Sequence, residues 1–95
     1  MAAGSGSIPP YIKVKFWVDN YGRGDLPDDR AVHVYMECET KEEVRSLQAE
    51  LIAMAEGRYE DKTLDNLIGY KRRVKFESYQ AWAKLMMQWI ASFKG

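Results

Sequence analysis

The chain has 95 residues, 46% apolar and 29% charged, which suits one domain around a modest single core. Its fourteen basic and fourteen acidic side chains cancel, so no whole-molecule field draws it to nucleic acid or to an anionic membrane; any such preference has to come from local clustering. The one cysteine, Cys38, excludes an internal disulfide and a thiolate metal cluster, and no run of about eighteen apolar residues is present to span a bilayer.

The leading "MAAGSGSIPP" has neither the basic start nor the apolar stretch of a signal peptide. Residues 1–10 are therefore expected to be a disordered tail ahead of a single domain over residues 11–95. A lone thiol and no export signal make the cytoplasm the expected location.

"YIKVKFWV" (11–18) alternates, with Ile12, Val14, Phe16 and Val18 on one side and Tyr11, Lys13, Lys15 and Trp17 on the other, the period of a half-buried strand. "AVHVYMECE" (31–39) repeats the pattern, with Val32, Val34, Met36 and Cys38 inward and His33, Tyr35, Glu37 and Glu39 outward. The intervening "DNYGRGDLPDDR" is turn chemistry, so the two strands are expected to pair as an antiparallel hairpin with a long loop. Its acids Asp19, Asp25, Asp28 and Asp29 lack the spacing of a calcium loop and read as turn formers.

The period changes at Thr40. Thr40 and Glu43 spell a capping box, Val44, Leu47, Leu51, Met54 and Ala55 one apolar stripe, and Gly57 a left-handed stop, which together predict a helix. Residues 58–69 are expected to hold a short second helix carrying Leu64, Leu67 and Ile68. "YKRRVKF" (70–76) alternates again and reads as a third strand, with Lys71, Arg73 and Lys75 facing away from Tyr70, Val74 and Phe76. Ser78 then caps a final helix, "SYQAWAKLMMQWIASFK".

The order β-β-α-(α)-β-α predicts an α+β fold. Its small three-stranded sheet, an antiparallel hairpin plus one crossover strand, carries two to three helices packed on one face. The third strand docks either beside the second, where Glu37 and Glu39 neutralise its cations, or beside the first, where its cations join Lys13 and Lys15.

Two surfaces stand out for function. On the final helix the apolar arc covers more than half the circumference, wider than the stripe a surface helix needs to bury. Met and aromatic residues are enriched where proteins meet. The leading expectation is thus a non-catalytic interaction module that binds a protein partner, or itself as a homodimer, through Trp82, Met86, Met87, Trp89, Ile90 and Phe93. The plainer reading of the same arc is a central core helix. The alternative function is single-stranded nucleic-acid binding on the open sheet face, with Trp17 and Tyr35 as stacking rings among Lys13, Lys15, Lys71, Arg73 and Lys75. That ranks second, and no membrane partner is expected.

Catalysis is not expected. His33 and Cys38, the single histidine and the single thiol, would point to opposite faces of one strand. No phosphate-binding loop, dinucleotide fingerprint, HExxH or GxSxG occurs. No cofactor and no metal are implied.

Overall fold

The amides of Lys13 and Val14, at the start of the first expected strand, both donate to Glu50 Oε1 at 2.9 Å. Unpaired amides converging on one carboxylate mark the first turn of a helix. In the computed structural model, which describes residues 8–93, every regular element is helical. Helix α1 (Ile12–Trp17) runs into a π-helical turn over Val18–Gly22. After a loop come α2 (Asp28–Cys38), α3 (Lys41–Ala55), α4 (Asp61–Ile68), α5 (Lys71–Phe76) and α6 (Tyr79–Ser92). Of the tail expected over residues 1–10, the first seven lie outside the described residues.

The α+β expectation is therefore corrected. Among the described residues there is no strand, and so no hairpin, crossover or strand order. All three segments read as strands are helices; the first two carry a second apolar pattern beneath their alternation, and the third buries none of its residues fully. In 11–18 the buried residues are Tyr11, Val14, Trp17 and Val18, spaced three, three and one, while the alternating Ile12 and Phe16 are exposed. In 31–39 they are Ala31, Val32 and Tyr35, and Val34 faces water. In 70–76 no residue is fully buried, and Val74 and Tyr70 are 65% and 57% exposed. With no sheet partner to cover an alternating face, burial follows the 3.6-residue period instead.

The segments read as helices begin and end on local signals. Thr40 Oγ1 accepts from Glu43 N at 3.1 Å to open α3, but the Glu43 carboxylate takes Lys13 Nζ at 2.9 Å instead of completing the capping box. Gly57, at φ +85°, closes the helix in the left-handed conformation that glycine adopts without penalty. Ser78 Oγ accepts from Ala81 N at 3.0 Å to open α6. Tyr11 sits at φ 55°, a strained position for a bulky residue. Its buried ring and a 2.8 Å hydrogen bond from its hydroxyl to Arg58 O hold it there.

Packing places α6 at the centre. Helices α2, α3 and α5 all lie against it, while α1 rests on α3 and α4. Three neighbours account for the breadth of its apolar arc: Tyr79, Trp82, Ala83, Met86 and Ile90 are buried. The core continues through Leu47, Leu51 and Met54 of α3, Leu64 and Ile68 of α4, and Trp17, Val32 and Tyr35. Side chains of this size contribute about 1.5–3 kcal/mol each on full burial.

Candidate anion-binding cleft

Trp17 and Trp82 meet at a ring separation of 6.0 Å with their planes tilted by 56°. Over both lies the Arg72 guanidinium, 5.6 Å from each ring centroid. Its Nε and Nη2 form a bidentate pair with Asp28 Oδ2 and Oδ1, 2.9 Å each, and Nη2 also donates to Gly22 O at 2.8 Å. Trp82 Nε1 donates to the same Asp28 Oδ2 at 2.9 Å. Both oxygens of Asp28 are thereby used, and the pair is nearly enclosed, with the Arg72 and Asp28 side chains 15% and 12% exposed. Asp28 sits in the first turn of α2, where the helix dipole favours a negative charge.

This knot ties the loop before α2 to α5, and between them opens a cleft of about 590 Å³. Gly69, at φ +90°, makes the bend that separates α4 from α5 and aims α5 along one wall. Gly22 ends the π-helical turn so close to Trp17 and Arg72 that a Cβ would fall 2.7 Å from the indole and 2.9 Å from the guanidinium. The charged residues of the lining are Arg23, Lys71, Arg72 and Lys75 against Asp28 alone. Arg23 pairs with Asp19 at 3.0 Å on the open surface. Lys71 and Lys75 are exposed and form no ion pair among the described residues. Lys75 Nζ rests 5.3 Å from the Phe76 ring centroid, and Phe76 meets Trp89 of α6 edge-on at 6.4 Å.

The residues expected on the sheet face are dispersed by the fold. Trp17 and Tyr35 are core residues, so neither ring offers a stacking platform. Lys13 pairs with Glu43, Lys15 with Asp19, and Arg73 with Asp65. Only Lys71 and Lys75 of that set come together, on the cleft wall. Among the residues expected to bind a partner, Trp82, Met86 and Ile90 are buried, while Met87, Trp89 and Phe93 are half-buried. Phe93 lies edge-on to His33 at 5.7 Å. His33 and Cys38, both on α2, are about 140° apart around the helix rather than on opposite sheet faces.

Arg72 escaped sequence reasoning, and Asp28 was read only as a turn former. One signal was present: in the strand reading Arg72 falls on the inward side with Tyr70, Val74 and Phe76, where an unpaired guanidinium is costly. Its carboxylate partner lies 44 positions away, at the end of a stretch read as turn chemistry.

Comparison of the chain with family models, with curated proteins and with solved structures finds no match. Among the described residues no helix is long and apolar enough to cross a membrane.

Proposed function

We propose that the protein is a non-catalytic interaction module that holds an acidic segment of a partner protein against α5 and its cleft. The observation that carries this reading is the placement of Lys71 and Lys75 one helical turn apart on the cleft wall, with no carboxylate of the described residues paired to either. Beside them, also one turn apart, Tyr70 and Val74 are exposed. Apolar and cationic pairs side by side suit a segment that carries acidic and apolar residues together. Phe76 extends the surface toward Trp89, so the final helix contributes its half-exposed edge while its other side stays in the core. Single-stranded nucleic acid is less favoured, because Trp17 and Tyr35 are buried and three of the expected cations are paired. A cytoplasmic setting goes with this reading, Cys38 being an exposed free thiol.

The test is a fluorescence-polarisation titration with a labelled peptide of alternating glutamate and leucine. Binding is expected to weaken as salt rises, and to fall by about tenfold or more in the K71E/K75E variant, since like charge then meets like. No binding at low salt, or binding indifferent to K71E/K75E, overturns the reading. Sedimentation of the free protein covers the other occupant: a dimer disrupted by K71E/K75E would put a second copy on this face and equally overturn it.

A further inference from the structure

The cleft contains a guanidinium that is both fixed and incompletely used. Of the five N–H groups of Arg72, those on Nε and Nη2 go to Asp28 and Gly22, while the two on Nη1 meet no acceptor among the described residues. Nη1 is not sealed in the interior either: the fully enclosed side-chain atoms without a partner are Trp17 Nε1 and Glu43 Oε2. Two indoles and a bidentate carboxylate hold the guanidinium plane, so its free edge is oriented before any ligand arrives. A preoriented, charged N–H donor suits one oxygen of an oxoanion, and ordering it costs little side-chain entropy at binding.

The charge balance narrows the choice of oxoanion. Of the four cations that line the cleft, Arg72 is paired with Asp28 and Arg23 with Asp19, which leaves Lys71 and Lys75 without a carboxylate among the described residues. A glutamate or aspartate brings one negative charge and two acceptor oxygens. A phosphate monoester brings about −1.5 to −2 and three, enough for Arg72 Nη1 together with Lys71 and Lys75. A nucleic-acid strand carries a monoanionic phosphate at every step and needs cations along a track. Lys13, Lys15 and Arg73, which could have supplied one, are each paired elsewhere.

We infer that the cleft is a phosphopeptide site, in which the phosphoryl group of a modified serine, threonine or tyrosine is gripped by Arg72 Nη1, Lys71 and Lys75. The inference rests on the interaction-module reading and specifies the anchor of that same surface.

The experiment compares three labelled peptides of one acidic-apolar sequence, bearing serine, glutamate or phosphoserine at a single position, with a single-stranded oligonucleotide as a fourth probe. The phosphoserine peptide is expected to bind about tenfold more tightly than the glutamate peptide, and to lose that margin as the pH drops below about 6, where the phosphate dianion takes up a proton and becomes a monoanion. In the K71A/K75A variant, whose exposed side chains leave the core intact, the margin is expected to fall to about twofold. Inorganic phosphate is expected to displace the phosphoserine peptide. Equal binding of the glutamate and phosphoserine peptides overturns the phosphoryl anchor and leaves the acidic-segment reading standing. No binding of either at low salt removes both. A preference for phosphoserine that survives K71A/K75A places the site elsewhere, and tighter binding of the oligonucleotide replaces the peptide with nucleic acid.

Discussion

Arg72 and Asp28 are joined by two parallel hydrogen bonds of 2.9 Å across 44 positions of chain, and this pair is what fixes the loop before α2 to the helix α5. Neither element is secured by burial alone: α5 has no fully buried residue, and residues 23–27 of the loop are all exposed. Removing one member strands the other. Asp28→Ala leaves a nearly enclosed guanidinium and the Trp82 indole N–H without their acceptor, at an expected cost of about 3 kcal/mol. Adding Arg72→Met removes the stranded charge and is expected to restore about 1 kcal/mol or more. Urea denaturation of the two variants checks this. A D28A loss within about 0.5 kcal/mol, the range of an ordinary surface change, contradicts the role given to the pair.

Gly22 and Gly24 stand two residues apart and are expected to respond in opposite ways to alanine. A methyl at Gly22 would collide with the Trp17 ring and the Arg72 guanidinium, both held in place, so Gly22→Ala is expected to destabilise by about 1–3 kcal/mol. Around a Cβ at Gly24 nothing lies within 4 Å, so Gly24→Ala is expected to be neutral or to stabilise by up to about 1 kcal/mol through the unfolded chain. Thermal melts of both variants decide the matter. Equal effects would mean that the close approach at Gly22 is wrong.

Helix α1 has no side-chain cap of its own, and Glu50 of α3 supplies one from across the fold. Glu50→Ala is expected to cost about 1–2 kcal/mol, and Glu50→Gln less, because the amide oxygen still accepts but the charge opposite the helix dipole is gone. Hydrogen exchange gives a local readout: the amides of Lys13 and Val14 should lose protection in E50A more than those of α6. Unchanged exchange at Lys13 would count against this tertiary cap.

The tyrosines set the alkaline limit. Burial, outweighing the nearby Arg58 charge, pushes the Tyr11 hydroxyl up to about 12, and burial likewise raises Tyr21, Tyr35 and Tyr79. In the unfolded chain these groups ionise near pH ~10, so above that point the unfolded state binds fewer protons than the native one and stability falls as pH rises. For Tyr11 the loss runs from about pH 10 to about pH 12. Tyrosinate absorbance is expected to rise together with loss of the helical circular-dichroism signal. Ionisation of all six tyrosines with helicity intact would refute the coupling.

At the acid end the sign reverses. The Arg73 guanidinium, and after it the Tyr79 hydroxyl, hold the Asp65 carboxyl below the usual range. Its contribution is present above the unfolded carboxylate value near ~3.9 and disappears as pH falls through the lower folded value. Asp65→Asn is expected to flatten that part of the acid stability profile and to soften the alkaline limb only through Tyr79, whose hydroxyl donates to the Asp65 carboxylate. An unaltered acid limb in D65N would contradict the pairing.

Of the candidate site, single residues were legible and the assembly was not. Lys71 and Lys75 stand out in "YKRRVKF" because cations repeat there at short range. Their lack of acidic partners emerges only when Glu43, Asp19 and Asp65 are seen to serve Lys13, Lys15 and Arg73 instead. The placement of Arg72 depends on Asp28, Gly22, Trp17 and Trp82, which are far from it in the chain.

The sequence by itself determined the starts of α3 and α6, the end of α3, and the apolar stripe of α3. Thr40, Ser78 and Gly57 act on backbone groups within a few positions of themselves, and a fifteen-residue helix repeats its period often enough to be unambiguous. The short helix expected within residues 58–69 is also present, as α4; tertiary structure decided the segments read as strands. Segments as short as Ile12–Trp17 and Lys71–Phe76 fit the two-residue and the 3.6-residue periods alike, and six residues are too few to form a helix unaided. What selects the helix is contact from a distance: the Glu50 carboxylate on the first amides of α1, and Asp28 with two indoles around Arg72 of α5.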